Sequence, residues 1–337
     1  MQKFNVVISF LFYLSLNAQE PNTFGSLLYK EVTANVETEP VFAGDDAADD
    51  MCILENLNSP EKSLIISSDK KYGIIVYDLD GVKLYDYEVG RINNVDILPS
   101  RSIQNKYIVA GTNRTYNSID IYLFNSKGKL ENLILRKEIP SLKDVYGVTF
   151  YRDEFNTYLF ISDKKGNVEQ WSYNKDEVNS EIKFVRKLKF SSLVEGLVAD
   201  ESKGKIYIGQ ERKGIWELNA FPSLDSEKRL IFKKSKNFKP DFEGLALRDD
   251  GNGEGYLIAS VQGSNGYLII DRKSLDAKIF FRIIDGDIID GTTETDGIDV
   301  TSIKTPKFPN GFFIAQDDDN DGLNQNFKLV DWNKILK

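Results

Sequence analysis

The sequence predicts an all-β chain folded as a six-bladed β-propeller, and three observations predict it. A phrase made of a short β-rich run, a polar turn and a second run ending in an aromatic recurs six times. A shorter phrase, an acid, Asn or Tyr followed by a small or apolar run, precedes each of these in phase. The repeat length suits blades of four or five short strands and is too long for leucine-rich or ankyrin units.

The first phrase reads LIISSDKKYGIIVYD from Leu64, YIVAGTNRTYNSIDIYLF from Tyr107, YLFISDKKGNVEQWSY from Tyr158 and IYIGQERKGIWEL from Ile206. It continues as YLIASVQGSNGYLIID from Tyr256 and FFIAQDDDNDGLNQNFKLVDW from Phe312. The starts lie 43, 51, 48, 50 and 56 residues apart. The second phrase opens at Asp50, Asn94, Tyr146, Glu195, Glu243 and Asp296, always 11 to 16 residues before the first phrase. The last repeat runs out at Trp332, so the segment Tyr29 to Val36 is expected to close the ring by joining the last blade.

Composition narrows the chemistry. The 337 residues carry 43 Lys and Arg against 52 Asp and Glu, a net charge of −9, which argues against tracking nucleic-acid phosphates. His is absent and Cys52 is the one cysteine. That excludes Ser-His-Asp and Cys-His triads, His-ligated zinc and a disulfide framework. Carboxylates, Lys, Arg, Tyr or an oxygen-loving metal must do the work. Cys52 is read as a small buried strand residue. Residues 1–18 resemble a secretory signal: Lys3, an apolar run from Phe4 to Leu16, then Ala18 at the cut. The run is too short to span a bilayer. An exported protein with one domain over residues 19–337, without a membrane span and monomeric, is the expectation.

In a propeller the innermost strands line the central channel, so a polar residue opening each of them delivers six polar groups to one mouth. Asp50, Asp96, Glu195, Glu243 and Asp296 would repel one another there unless cations neutralise them. Oxygen donors alone select Ca²⁺, with Mg²⁺ or Mn²⁺ behind it. The turns of the first phrase bring cations, Lys70-Lys71, Asn113-Arg114, Lys164-Lys165 and Glu211-Arg212, to one edge of their blades. Carboxylates and cations together suit a phosphate-bearing ligand. Either lysine pair alone reads as a solvated hairpin turn; their coincidence with Arg114 is what points to a site. Tyr146 could be a core aromatic, but the other five blades put a polar group at its position. The loop Asp317 to Gly322 has acids at EF-hand spacing but Lys328 at position twelve, and stays open between metal ligand and solvated turn.

At these residues the chain resembles the β-propeller phytases, calcium-dependent phytate hydrolases, from about Thr33 to Trp332. The motifs are ETEPV from Glu37, AADD ending at Asp50, DKK from Asp69, NNVDI from Asn93, NR at Asn113-Arg114 and VYG from Val145. They continue as EGLVAD from Glu195, EGL from Glu243, ASVQGSNGY from Ala259, TDGIDV from Thr295, AQD from Ala315 and NQNFK from Asn324. The chain departs from the family at Met51 to Leu54, at Gln210 and at Glu294. The resemblance implies that Tyr146, Glu195, Glu211, Glu243 and Asp296 surround calcium ions at the cleavage site, with Asp241 close by. It implies that Lys70, Lys71, Arg114 and Lys164 grip phosphate. Asp50, Asn94, Val95 through its carbonyl, Asp96, Asp290, Gly291 and Asp317 would hold stabilising calcium ions.

The reaction expected is hydrolysis of phytate, as its calcium complex, by direct attack of a calcium-activated water. Two rival classes are a calcium-dependent propeller lactonase or esterase, against which the basic rim argues, and a non-catalytic binding propeller, against which the convergent acids argue.

Overall fold

The computed structural model describes residues 27–337 apart from 174–180, 225–226, 236–238 and 240; the expected secretory signal lies outside the described residues. Strands make up somewhat more than half of the described residues, and the rest is turns and loops apart from three short 3-10 turns and one short α-helix, Trp332–Leu336.

Six sheets form six blades, each built on four antiparallel strands. Their innermost strands are Ala48–Leu54, Ile92–Pro99, Val145–Arg152, Val194–Asp200, Phe242–Gly251 and Ile298–Thr301. Each of these touches the innermost strand of the next blade, and the sixth touches the first, so the ring closes around a channel. The six recurrences of the sequence are the second and third strands of blades 1 to 6.

Both faces of a blade are covered, which explains the nearly continuous apolar runs. Side chains alternate faces along a strand. In Gly73–Tyr77, Ile74 and Val76 pack toward blade 2, while Ile75 and Tyr77 pack toward blade 6. The same pattern gives six apolar clusters, one at each blade interface.

The ring closes otherwise than the sequence predicts. Leu28–Thr33 does not join the last blade; it adds a fifth strand to blade 5, parallel to Ala277–Ile284. Only Val36–Glu37 pairs with the last blade, antiparallel to Leu329 and Lys328. Burial accounts for the split. Val32 enters the core between blades 5 and 6, and Val36 enters the one between blades 6 and 1. One N-terminal segment therefore clamps two blades.

What positions the site is a β-bulge repeated at the start of the innermost strand in blades 1 to 5, at Ala48/Met51, Ile92/Val95, Val145/Val148, Val194/Leu197 and Phe242/Leu245. A bulge places two residues opposite one and re-aims a side chain. In three of these blades the second bulge residue is Gly147, Gly196 or Gly244, where a Cβ would meet the carbonyl of the next blade at 1.9, 2.0 and 2.6 Å. Glycine is thus required at these three close approaches.

Candidate active site

The pairing register defines two rings of side chains at the channel mouth. The first is the bulge position: Asp49, Asn93, Tyr146, Glu195 and Glu243, continued in blade 6 by Asp296 before Gly297. The second is the residue just after the second strand of each blade: Lys70, Arg114, Lys164, Glu211, Gln262 and Asp318.

This register corrects the phasing expected from sequence in blades 1 and 2. Asp50 and Asn94 stand where the other blades have Gly147 and Gly196; the ring members are Asp49 and Asn93. Asp50, Asn94, Val95 and Asp96 line a narrower cavity of the channel together with Asp299. There Asp50 accepts from Asn94 Nδ2 and from the Val95 amide, each at 3.1 Å. Asp96 accepts from Thr149 Oγ1 at 2.9 Å and from the Phe150 amide at 2.6 Å. Asp299, its register equivalent in blade 6, accepts from the Ile53 amide at 2.9 Å. Cys52 is buried and free beside them, its thiol pushed up by burial and then by Asp96 and Asp299.

In the first ring, Glu195 and Glu243 are joined by Glu211 of the second. The three carboxylates are buried, and each offers an oxygen within 4.8 Å of the others, a spacing at which they could hold a metal ion. Glu211 Oε1 and Glu243 Oε2 are buried with no hydrogen-bond partner, a costly state unless a cation takes them up. Burial, followed by Glu195 and Asp241, pushes Glu211 up to about 8. Glu243 is held well above the usual range by burial and Glu195. Asp296 is pushed up to about 7 by burial, against the pull of Lys70. Tyr146 is raised by burial and by Glu195 and Glu243, so its hydroxyl keeps its proton and donates to Glu195. Asp241 stands at the edge, 3.9 Å from Arg212.

The second ring changes sign around the mouth: blades 1 to 3 supply Lys70, Arg114 and Lys164, and blades 4 to 6 supply Glu211, Gln262 and Asp318. The turns that carry the cations are capped by the last residue of the strand. Asp69 accepts from the Lys71 amide, Asn113 from the Thr115 amide and Asp163 from the Lys165 amide, at 2.9, 3.0 and 2.9 Å. Lys70 reaches inward to Asp46, to Asp49 at 2.8 Å and to Asp296 at 3.1 Å. Arg114 Nη1 donates to Asn93 at 3.3 Å, and its buried Nε has no partner. Lys164 lies 4.6 Å over the ring of Tyr146. Lys71 points away, donating to the Gly44 carbonyl at 2.6 Å.

Asp290 and Asp317 meet in a separate cluster, on the fully buried ammonium of Lys328, with Glu37 at 2.7 Å and Asp317 at 3.4 Å. Asp317 is pushed up to about 7, chiefly by burial, and Asn326 Oδ1 beside it has no partner. Gly291 stays nearby, its amide donating to Asp285 at 2.9 Å.

Sequence reading missed Asp49, Asn93, Gln262 and Asp299. Gln262 donates to Asp296 at 2.7 Å. It also missed the hydroxyls that hold the bulges: Ser68, Thr112 and Ser162 accept from the amides of Asp50, Asn94 and Gly147. Ser68 and Thr112 also donate to the carbonyls of Asn93 and Tyr146 in the following blade. Aligning the repeats on the glycine after the mouth residue would have exposed the first group, and the Ser, Thr or Gly near the end of the second strands the other.

A family model described as Phytase matches residues 5–337. The chain is 40% identical over 326 residues to the 3-phytase of Bacillus subtilis (strain 168), covering 91% of this chain and 85% of that protein. Among solved structures, the β-propeller domain of Cps50 (Swd1) from Myceliophteria thermophila superposes with a TM-score of 0.52 at 12% identity, over 87% of this chain and 99% of that one. That likeness speaks for the fold alone.

Proposed function

The chain belongs to the phytase family and hydrolyses phosphate monoesters of phytate, and from that premise we propose how the two rings divide the work and that the metal is calcium. The observation that carries the proposal is the pair of orphaned oxygens on Glu211 and Glu243, within a three-carboxylate group and facing a row of cations from blades 1 to 3. Buried oxygen donors with neither His nor thiolate at the mouth suit Ca²⁺.

Glu195, Glu211 and Glu243 would hold it, with Tyr146, Asp241 and Asp296 around them. Asp50, Asn94, the Val95 carbonyl and Asp96 would hold a stabilising ion in the channel, and Asp290, Gly291 and Asp317 another beside Glu37. Bound at the mouth, calcium offsets the charge of phosphate oxygens and makes water more acidic. Lys164 and Arg114 bind and orient the phosphoryl group, and their charge stabilises what develops on its equatorial oxygens. Lys70, farther round the same rim, is committed to Asp46, Asp49 and Asp296 and holds those carboxylates in place, while Lys71 points away from the mouth and takes no part in this arrangement. Tyr146 keeps its proton and fixes Glu195. A carboxylate oxygen of this group that does not hold the ion accepts the proton of the attacking water. The proposal includes export, on the leader-like residues 1–18.

The test is phosphate release from phytate with added calcium and with chelator, beside a p-nitrophenyl ester and a lactone. Calcium-dependent release from phytate alone is expected. Release that persists undiminished in chelator would overturn the calcium assignment.

A further inference from the structure

Asn93 is the one neutral amide in a ring that the other blades fill with carboxylates or Tyr, and it is fully buried. It belongs to blade 2, yet its Nδ2 reaches across blade 3 to Glu195 Oε1 of blade 4 at 2.9 Å. The same nitrogen lies 2.6 Å from Asp49 Oδ2 and 2.8 Å from Asn94 Oδ1. Two N–H bonds thus serve three acceptors, two of them carboxylates of the mouth. Its Oδ1 is turned the other way and accepts from Arg114 Nη1, whose Nε is left without a partner. A carboxylate here would add a further negative charge and take Arg114 into an ion pair. An amide links the acidic and basic halves of the site at no charge.

We propose that Asn93 is a positioning residue: it orders Asp49 and Glu195 through Nδ2 and aims the Arg114 guanidinium at the substrate phosphate through Oδ1. This rests on the phosphate-holding role proposed for Arg114. The experiment is a double-mutant cycle on the full-length, calcium-loaded protein with Asn93→Asp and Arg114→Ala. Inorganic phosphate binding is measured by calorimetry, with kcat and KM on calcium phytate alongside. Asn93→Asp is expected to weaken phosphate binding and raise KM about tenfold, a size typical of coupling within one hydrogen-bond network. Its kcat should fall less. The double variant should lose clearly less phosphate binding than the two single losses summed, because the part of the Asn93→Asp effect that runs through Arg114 is already gone in Arg114→Ala. Unchanged phosphate binding in Asn93→Asp, or losses that add in full, would overturn the proposal. Should Asn93→Asp not fold, Asn93→Ser enters the same cycle with the same criteria. A wild-type protein that releases no phosphate from phytate would instead sink the functional reading, whatever the variants do.

Discussion

Lys164 and Glu211 occupy the same register position in adjacent blades and carry opposite charges, so their removal should have different consequences. Lys164→Ala deletes a cation that has no ion-pair partner among the described residues and is free to face phosphate. A loss in kcat/KM of about 10², the scale of one preorganised electrostatic contact, is expected, and added calcium should not restore it. Glu211→Gln keeps shape but removes one of the three carboxylates grouped within 4.8 Å. A comparable loss is expected, partly recovered as calcium is raised. A calcium series of kcat/KM on phytate checks both. Near wild-type activity in Lys164→Ala would show that the basic rim does not hold substrate.

At the scale of the element, the repeated bulge is the device that turns ordinary strands into a site, and the hydroxyls of the second strands keep it in shape. Thr112 shows the coupling: its Oγ1 takes the Asn94 amide at 3.0 Å and gives its own proton to the Tyr146 carbonyl in the next blade. Thr112→Val keeps the β-branched shape and orphans both groups. A stability loss of about 1–3 kcal/mol is expected for the unsatisfied buried amide, read by denaturant unfolding with calcium saturating. Because the same hydroxyl ties Asn94 to Tyr146, kcat/KM should fall with it. A stable but inactive variant would mean that the hydroxyl acts on the mouth without holding the blade. At the end of the innermost strands away from the bulges, blades 4 and 5 are tied by a buried ion pair. Arg272 grips Asp200 through two bonds of 2.7 Å and holds its carboxyl below the usual range, against the effect of burial.

For the whole molecule, the crowded carboxylates link stability to both pH and calcium. Burial raises Asp49 to about 6, Asp296 to about 7 and Glu211 to about 8. A carboxyl whose folded value lies above its unfolded value, about 4, binds more protons folded than unfolded. Its contribution is complete below pH 4 and lost as pH rises through the folded value. The chelated protein is therefore expected to lose melting temperature steadily from about pH 4 to pH 8. Calcium, which replaces those protons, should remove most of the decline and raise the melting temperature most at the alkaline end. Melting curves over that range, with calcium and with chelator, check this. A chelated protein equally stable at pH 5 and pH 8 would contradict it.

The blade count, the second and third strands and the members Tyr146, Glu195, Glu243 and Asp296 of the mouth ring were legible in the chain. They follow from spacing, and spacing survives in a repeat because every blade must bury both faces against its neighbours. The absence of His and the single Cys52 likewise restricted the chemistry without any coordinates. Tertiary structure alone decided the rest. Whether Asp49 or Asp50, Asn93 or Asn94, faces the mouth turns on where a bulge falls, and shifting a strand by one residue exchanges its two faces. The ring closure was decided by the two cores that receive Val32 and Val36, on either side of blade 6. The reach of Asn93 to Glu195, and of Lys70 to Asp296, joins residues 102 and 226 positions apart. No local pattern encodes such pairs, because only closing the ring brings their blades around one channel.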